Sequence, residues 1–387
     1  MPPLDTMTSK EMLERLVAFP TVSSDSNLDL IEFVRAYLAE HGVSSTLVFN
    51  EDGSKANLFA TIGPTVPGGV VLSGHTDAVP ALEPGWTDSP WMLTERNGRL
   101  YGRGTCDMKG FDALALAAVP EMLAADLKAP IHIALSYDEE VGCKGAPSMV
   151  ERMVEGIATP RAVFVGEPTR MRVVNGHKGI VAFNTHVRGH AVHSSRIDTG
   201  VSAVMVAARL VTWLDETMAD NSRRPAPGAF EPPYTTLHCG VINGGVAGNI
   251  VAESCSFITD IRAIPQEKAQ DFRDRFEQYA RTGIEPAMKA TAPNSGIEIE
   301  DLSSVPGLAP EPDGDAEALA LALTGANDTA VVAYATEGGI FQNAGWSTVV
   351  VGPGDIAQAH QVDEYIEVEQ LMAGERFIQR LISELAR

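Results

Sequence analysis

The segment IALSYDEEVGCKG, residues 133–145, runs from an apolar stretch into three consecutive carboxylates, Asp138, Glu139 and Glu140, and then turns at a glycine. Adjacent carboxylates repel one another, and burying each costs free energy unless a cation or a proton compensates it. The pattern predicts a buried strand with something positive at its carboxyl end. Similar apolar runs stand at VVLSG (70–74), AVFVG (162–166) and STVVVG (347–352), separated by helical stretches such as 108–123. Strands alternating with helices imply an α/β catalytic domain, a mostly parallel sheet flanked by helices, in which sites form at the carboxyl ends of strands. Before the first strand, Thr8 to Glu11 fits a capping box, and Leu13, Leu16 and Val17 continue at helical spacing until Pro20.

Between about 179 and 292 the rhythm changes to strand (180–188), helix (200–218), a proline-rich loop RRPAPGAFEPPY (223–234), two strands (235–242 and 252–264) and a helix (266–282), with a further strand at 296–301. The order βαββαβ is that of a ferredoxin-like α+β unit. It reads as an inserted satellite that divides the catalytic domain into residues 1–178 and 293–387. The segment SSVPGLAPEPDGDAEA (303–318) is rich in turn residues and returns the chain to the first domain.

A chain of 387 residues with 44% apolar content is long enough for two cores. A net charge of -22 disfavours nucleic acid and anionic membrane as partners. Residues 1–10 lack a basic segment leading into an apolar one, and no apolar run spans a bilayer, so the expected location is cytoplasmic. Cys106, Cys143, Cys239 and Cys255 have no CxxC spacing and are expected to be reduced, with Cys106 and Cys143 as small packing residues rather than nucleophiles.

The chemistry-bearing residues lie at strand ends. In VVLSGHTDAVP (70–80), His75 and Asp77 are two apart, so an extended backbone puts them on one face. A ligating histidine needs its other ring nitrogen held, commonly by a carboxylate, although the pair also reads as a polar turn. In RLYGRGTCDMKGFDALAL (99–116), three loop glycines surround Asp107 at a helix entry, which suits either a carboxylate bridging two metals or an ordinary helix cap. If a dinuclear centre sits above the sheet, Glu140 can be a ligand while Glu139 acts as general base, with Asp138 bracing the turn. VFVGEPT (163–169) adds Glu167, and VGPGDIAQAHQVDEY (351–365) adds His360. Two histidines and three carboxylates suit two zinc-class sites.

HTD, YGRGTCDMKG, DEE, GEPT and the late AH pattern, in this order along essentially the whole chain, resemble the dinuclear zinc aminoacylase and carboxypeptidase family. The resemblance implies two divalent metal ions, zinc with cobalt as the alternative. It implies His75, Asp107 and Glu167 on one and Asp107, Glu140 and His360 on the other. Asp77 then orients a ligand and Glu139 is the general base. In the satellite, RGHAVHSS (188–195) resembles the segment that brings a histidine, His193, to the scissile carbonyl of a partner subunit, implying a homodimer through that domain. GGVAGNIVAESC (244–255) and TDIRAIP (259–265) resemble segments that bring Asn249 and Arg262 to substrate, and Gly338 and Gly339 in YATEGGIF (334–341) would let backbone approach it. An ion pair within the strand is the plainer account of Arg262.

The implied reaction is hydrolysis of the amide bond of a small-molecule N-acyl amino acid. AFPTVSSDSNLDLIEFV (18–34), GHKG (176–179) and the TEGGIF segment are most similar to members that cleave N-acetyl-L-ornithine to L-ornithine and acetate in arginine biosynthesis. N-succinyl-diaminopimelate, a broader range of N-acyl amino acids and small peptides stand as alternative substrates. A non-catalytic metal-binding scaffold is the reading from a different class, and it would have no use for Glu139.

Overall fold

The structure is a computed structural model that describes residues 7–82, 84–226, 228 and 230–387. The first residues of the leader reading, 1–6, and Pro227 and Ala229 of the proline-rich loop lie outside the described residues. The chain divides into two compact units. One comprises Met1–Gly176, Leu308–Val331 and Thr336–Arg387, and the other His177–Gly307 with Val332–Ala335.

In the first unit, Thr8 and Glu11 exchange the two hydrogen bonds of a capping box and start the helix Ser9–Val17. An eight-stranded sheet follows the order Ser45–Phe49, Ala56–Ile62, Ile131–Ser136, Val70–His75, Ala162–Val165, Thr348–Val350, Val174–His177 and Ala330–Val332. Ile131–Ser136, Val70–His75, Ala162–Val165 and Thr348–Val350 run parallel to one another. Antiparallel pairings flank them, Ser45–Phe49 on Ala56–Ile62, Ala56–Ile62 on Ile131–Ser136, and Thr348–Val350 on Val174–His177. The sheet is therefore mixed rather than mostly parallel. The physical reason at one edge is a hairpin: a turn at Asp52 and Gly53, the glycine at φ 71°, reverses the chain without a crossover helix. The four central strands are buried along their length, as expected for a parallel core covered on both faces.

Two helices end or shift differently from the periodic reading. The stretch 108–123 forms Lys109–Ala117 and then Val119–Ala124, with Pro120 in the first turn of the second. The helix read at 200–218 spans Ala203–Ser222.

In the second unit the sheet order is Thr236–Gly244, Ser254–Ala263, Gly179–Arg188 and Gly296–Val305, every neighbour antiparallel. With helices Ala203–Ser222 and Ala269–Gln278 in the connections, the chain order is βαββαβ. Val206, Leu210, Leu214, Phe272 and Phe276 from the helices form one buried cluster with Val181, Phe183, Phe257 and Ile261 from the sheet. A boundary at 292/293 would cut off the strand Gly296–Val305, which pairs with Gly179–Arg188 over nine positions and belongs to this unit. The helical segment before it runs on through Glu285–Thr291, so the turn-rich signal for the return appears only after Val305.

At the carboxyl ends of two parallel neighbours the backbones approach so closely that side chains are excluded. A Cβ at Gly352 would fall on the carbonyl of Gly166, and one at Gly166 on the ring of Phe111. Gly352→Ala must separate the two strand ends, and its expected cost is about 1–3 kcal/mol, the usual range for overpacking. Chemical denaturation of the variant against the parent chain measures it.

Candidate metal centre

The four parallel strands end on one edge of the sheet, and each contributes to one cluster. His75 is the last residue of Val70–His75, Glu139 and Glu140 follow Ile131–Ser136, Glu167 follows Ala162–Val165, and His360 lies on the loop after Thr348–Val350. Asp107 arrives from a different direction, on the loop before Lys109–Ala117. It does not cap that helix, whose N-cap is Met108 with no side-chain cap bond. The plainer reading of Asp107 is thereby set aside.

Asp107 divides its oxygens between two imidazoles. His75 Nε2 lies 3.0 Å from Asp107 Oδ1, and His360 Nε2 lies 3.4 Å from Asp107 Oδ2 and 2.9 Å from Glu140 Oε2. Glu167 Oε1 is 3.8 Å from His75 Nε2. The structure thus brings together His75, Asp107, Glu140, Glu167 and His360. Glu139 is beside them, and one set of mutually close donors also joins it to His75 and Glu167.

Burial works to raise the Asp107 carboxyl, but hydrogen bonds from His360 and His75 and the charges of both rings overcome it and hold Asp107 below the usual carboxylate range. His360 is pushed up to about 10 by its bonds to Asp107 and Glu140. For Glu167 and Glu140, burial and then the charge of Asp107 push the carboxyls up. Burial, reinforced by Glu140 and Asp107 against the charge of His75, drives Glu139 well up.

These environments are a test of fit for metal. Buried carboxylates crowd together in excess of the two imidazoles that could neutralise them, so Glu139, Glu140 and Glu167 are forced toward protonation while Asp107 stays ionised. Divalent cations would compensate the same charge, and donors limited to imidazole nitrogen and carboxylate oxygen, with no thiolate, suit ions of the zinc class. Among the described residues two groups of donors, His75 with Glu139 and Glu167, and His75 with Asp107 and Glu140, keep their ligand atoms within 4.8 Å of one another. The residues fit the ions.

Asp77 has a wider role than orienting one ring. His75 Nδ1 lies 3.0 Å from the main-chain carbonyl oxygen of Asp77 and 3.5 Å from its carboxylate. The carboxylate accepts the backbone N–H groups of Glu139 and Glu140 at 3.1 and 3.3 Å and the Ser23 hydroxyl at 2.7 Å. It therefore clamps the turn that carries both glutamates. Asp138 braces the same turn through Lys55 at 2.6 Å, with its backbone at φ 57°. His360 is also left-handed, at φ 59°. Such conformations cost roughly 1 kcal/mol or more away from glycine and persist where surrounding contacts enforce them.

Three supporting groups escaped the sequence reading. Arg103 and Glu364 form a buried ion pair at 2.7 Å, and Glu364 Oε1 accepts the backbone N–H groups of Cys106 and Asp107. The strand pair Arg99–Tyr101 and Tyr365–Glu367 brings them together, so the available signal was only an acid in VDEY and a basic residue in YGRG, far apart in the chain. Glu337, next to Gly338, is buried and accepts hydroxyl bonds from Ser73, at 3.1 Å, and from Ser136. Burial pushes its carboxyl up to about 7 against those bonds. Gly338 and Gly339 are buried at the start of the helix Gly338–Asn343. Cys106 and Cys143 are buried, which pushes both thiols up and leaves them poor nucleophiles.

The remaining residues belong to the second unit. His193 is exposed, its Nδ1 2.8 Å from the Ser195 hydroxyl, and its main chain pairs with Ile250. Asn249 lies beside it, its carbonyl accepting from the Ser194 N–H at 2.9 Å. Arg262 pairs with Asp260 at 3.0 Å, the strand ion pair that was the plainer expectation.

Comparison with known proteins identifies the family. Residues 71–384 match the description Peptidase family M20/M25/M40. The chain is 36% identical over 387 residues to an acetylornithine deacetylase of Myxococcus xanthus, covering 98% of each. It is 34% identical over 366 residues to an acetylornithine deacetylase of Proteus mirabilis, covering 92% of each. In fold it is similar to an M20 family metallo-carboxypeptidase of Sulfolobus solfataricus, with a TM-score of 0.78 at 16% identity over 98% of this chain and 100% of the other. It is also similar in fold to a dinuclear metal binding peptidase of the M20 family from Bacillus subtilis, with a TM-score of 0.65 at 13% identity over 97% of each. With its strand-end cluster of histidines and carboxylates, the chain belongs to peptidase family M20/M25/M40 and is a metal-dependent amidohydrolase.

Proposed function

We propose that the chain hydrolyses N-acetyl-L-ornithine to L-ornithine and acetate, a step of arginine biosynthesis, in the cytoplasm. The observation that carries the metal-dependent hydrolysis in this reading is the division of the Asp107 oxygens between His75 and His360, the pattern needed for one carboxylate to serve two metal sites. His75, Asp107 and Glu167 would hold one ion, and Asp107, Glu140 and His360 the other, with zinc the proposed metal and cobalt an alternative. When bound, such ions polarise a carbonyl oxygen and lower the proton affinity of water.

The protein's own groups then divide the work. Glu139 takes the proton of the attacking water on its carboxylate and returns it to the leaving amine nitrogen. Its raised proton affinity suits a group that must both accept and deliver a proton. Asp77 keeps Glu139 in register by holding its backbone N–H. His193 donates to the developing oxyanion from a partner subunit, Arg262 pairs with the substrate carboxylate through its planar fork, and Asn249, Gly338 and Gly339 contact substrate. The strand Thr236–Gly244 is an edge of its sheet with Val241 and Ile242 exposed, which supports pairing of satellite units in a homodimer. The substrate rests on the names of relatives at 33–36% identity. Turnover of N-acetylornithine against N-succinyl-diaminopimelate and N-acetylmethionine, with added zinc or cobalt, tests it, and a preference for either competitor sinks the assignment.

Glu139→Gln is expected to keep two bound ions and to lose turnover by at least ~10², the usual scale for a general base. Metal analysis beside the assay checks this, and loss of an ion with activity little changed would remove Glu139 from that role.

Asp107→Ala is expected to weaken both metal sites, whereas His75→Ala or His360→Ala weakens chiefly one. Titration with metal distinguishes the cases, since a shared ligand couples two sites and an unshared one does not.

Assembly has its own test. His193→Ala and Glu139→Gln chains are each expected to be nearly inactive. After subunit exchange the mixture regains up to about one quarter of the parental activity, because random pairing gives about half heterodimers with one intact site each. Exchange demonstrated by mass with no activity regained would mean that His193 does not act across the interface.

A further inference from the structure

A surface cavity of about 390 Å³ in the first unit is lined by Arg170, Arg172, Arg376 and Arg380, together with Asp328 and the end of helix Asp315–Thr324. Four guanidiniums around one concavity are out of keeping with a chain of net charge -22. Arg376 and Arg380 are also four apart on helix Val368–Leu385, a spacing at which like charges repel.

Local partners account for only part of this charge. Arg170 pairs with Asp355 at 3.2 Å, and Arg380 donates to the Leu323 carbonyl at 2.7 Å. The end of helix Asp315–Thr324 offers about half a negative charge, enough for one cation. The guanidiniums of Arg172 and Arg376 have no hydrogen-bond, ion-pair or ring partner among the described residues, and Asp328 pairs with none of the four. The cavity is thus a positive concavity with two planar forks unused. Guanidinium forks match phosphate oxygens through paired, charge-assisted bonds, and the volume suits a small ligand.

We propose that this cavity binds a phosphate group, free or carried on a small metabolite. The site is separate from the cluster at the strand ends but shares its supports. Arg170 follows Glu167 by three residues. The Arg170 and Met171 N–H groups donate to the Gly354 and Gly352 carbonyls at 2.7 and 2.9 Å, on the segment leading to His360. A phosphate held by Arg170 and Arg172 therefore braces the two loops that carry Glu167 and His360.

Calorimetric titration of the metal-loaded protein with inorganic phosphate, against chloride at equal ionic strength, tests the proposal. Saturable binding is expected, weakened about 10- to 100-fold by Arg172→Gln or Arg376→Gln, the scale of a lost charge-assisted bond. Metal content and basal turnover stay unchanged in both variants, since neither side chain touches the metal-binding cluster. Arg172→Lys, which keeps charge but loses the fork, retains intermediate affinity and guards against a folding effect. Ribose 5-phosphate as a second probe separates the sources: binding at least as tight as that of free phosphate assigns the site to a phosphorylated metabolite, and weaker binding to the free ion. Absence of saturable binding in the parent chain overturns the proposal. So does binding undiminished in the Arg172→Gln/Arg376→Gln double variant, which would mean that phosphate binds elsewhere, such as at the loaded metal ions.

Discussion

Asp107 is the constraint on which the site depends. One carboxylate faces imidazoles from residues 75 and 360, far apart in the chain, and its geometry lets a single residue set their separation. Holding it there is costly, because an ionised carboxylate taken from water must be repaid by specific partners. The two rings supply part of the compensation. The buried pair of Arg103 and Glu364 supplies the mechanical part, since Glu364 grips the backbone on which Asp107 rides.

The sheet makes this convergence possible. Parallel strands put their carboxyl ends on one edge, so residues that follow four different strands arrive side by side without long loops. Gly352 lets neighbouring strand ends close to backbone contact there, and Gly166 leaves room for the Phe111 ring. Asp77 then links two strand ends, with its carbonyl on His75 and its carboxylate on the Glu139–Glu140 turn. Below that turn Glu337 accepts bonds from Ser73 and Ser136, one from each of two adjacent strands. The result is a rigid support for groups whose charges oppose one another, as preorganised sites require.

The second unit is built on different physics. An antiparallel sheet with helices on one face leaves the other face free and an edge strand open. His193, Asn249 and Arg262 are all carried by this unit, and the first two are neighbours through the pairing of His193 with Ile250.

Local chemistry in the sequence was enough for the capping box at Thr8, the central strands, the βαββαβ order and the strand-end positions of His75, Glu140 and Glu167, because each depends on periodicity or on residues within a few positions. The mixed sheet was not legible, since the direction of a strand is set by the neighbour it pairs with. Neither was the satellite's boundary, read at 292/293 although the βαββαβ order counts the strand at 296–301, because the pairing that keeps this strand in the satellite joins residues more than a hundred positions apart. Tertiary structure alone decided that Asp107 is not a helix cap, that Asp77 holds a turn as well as a ring, and that Arg103, Glu364 and Glu337 support the centre. Those roles are set by burial and by partners distant in the chain, and a linear pattern carries no information on either.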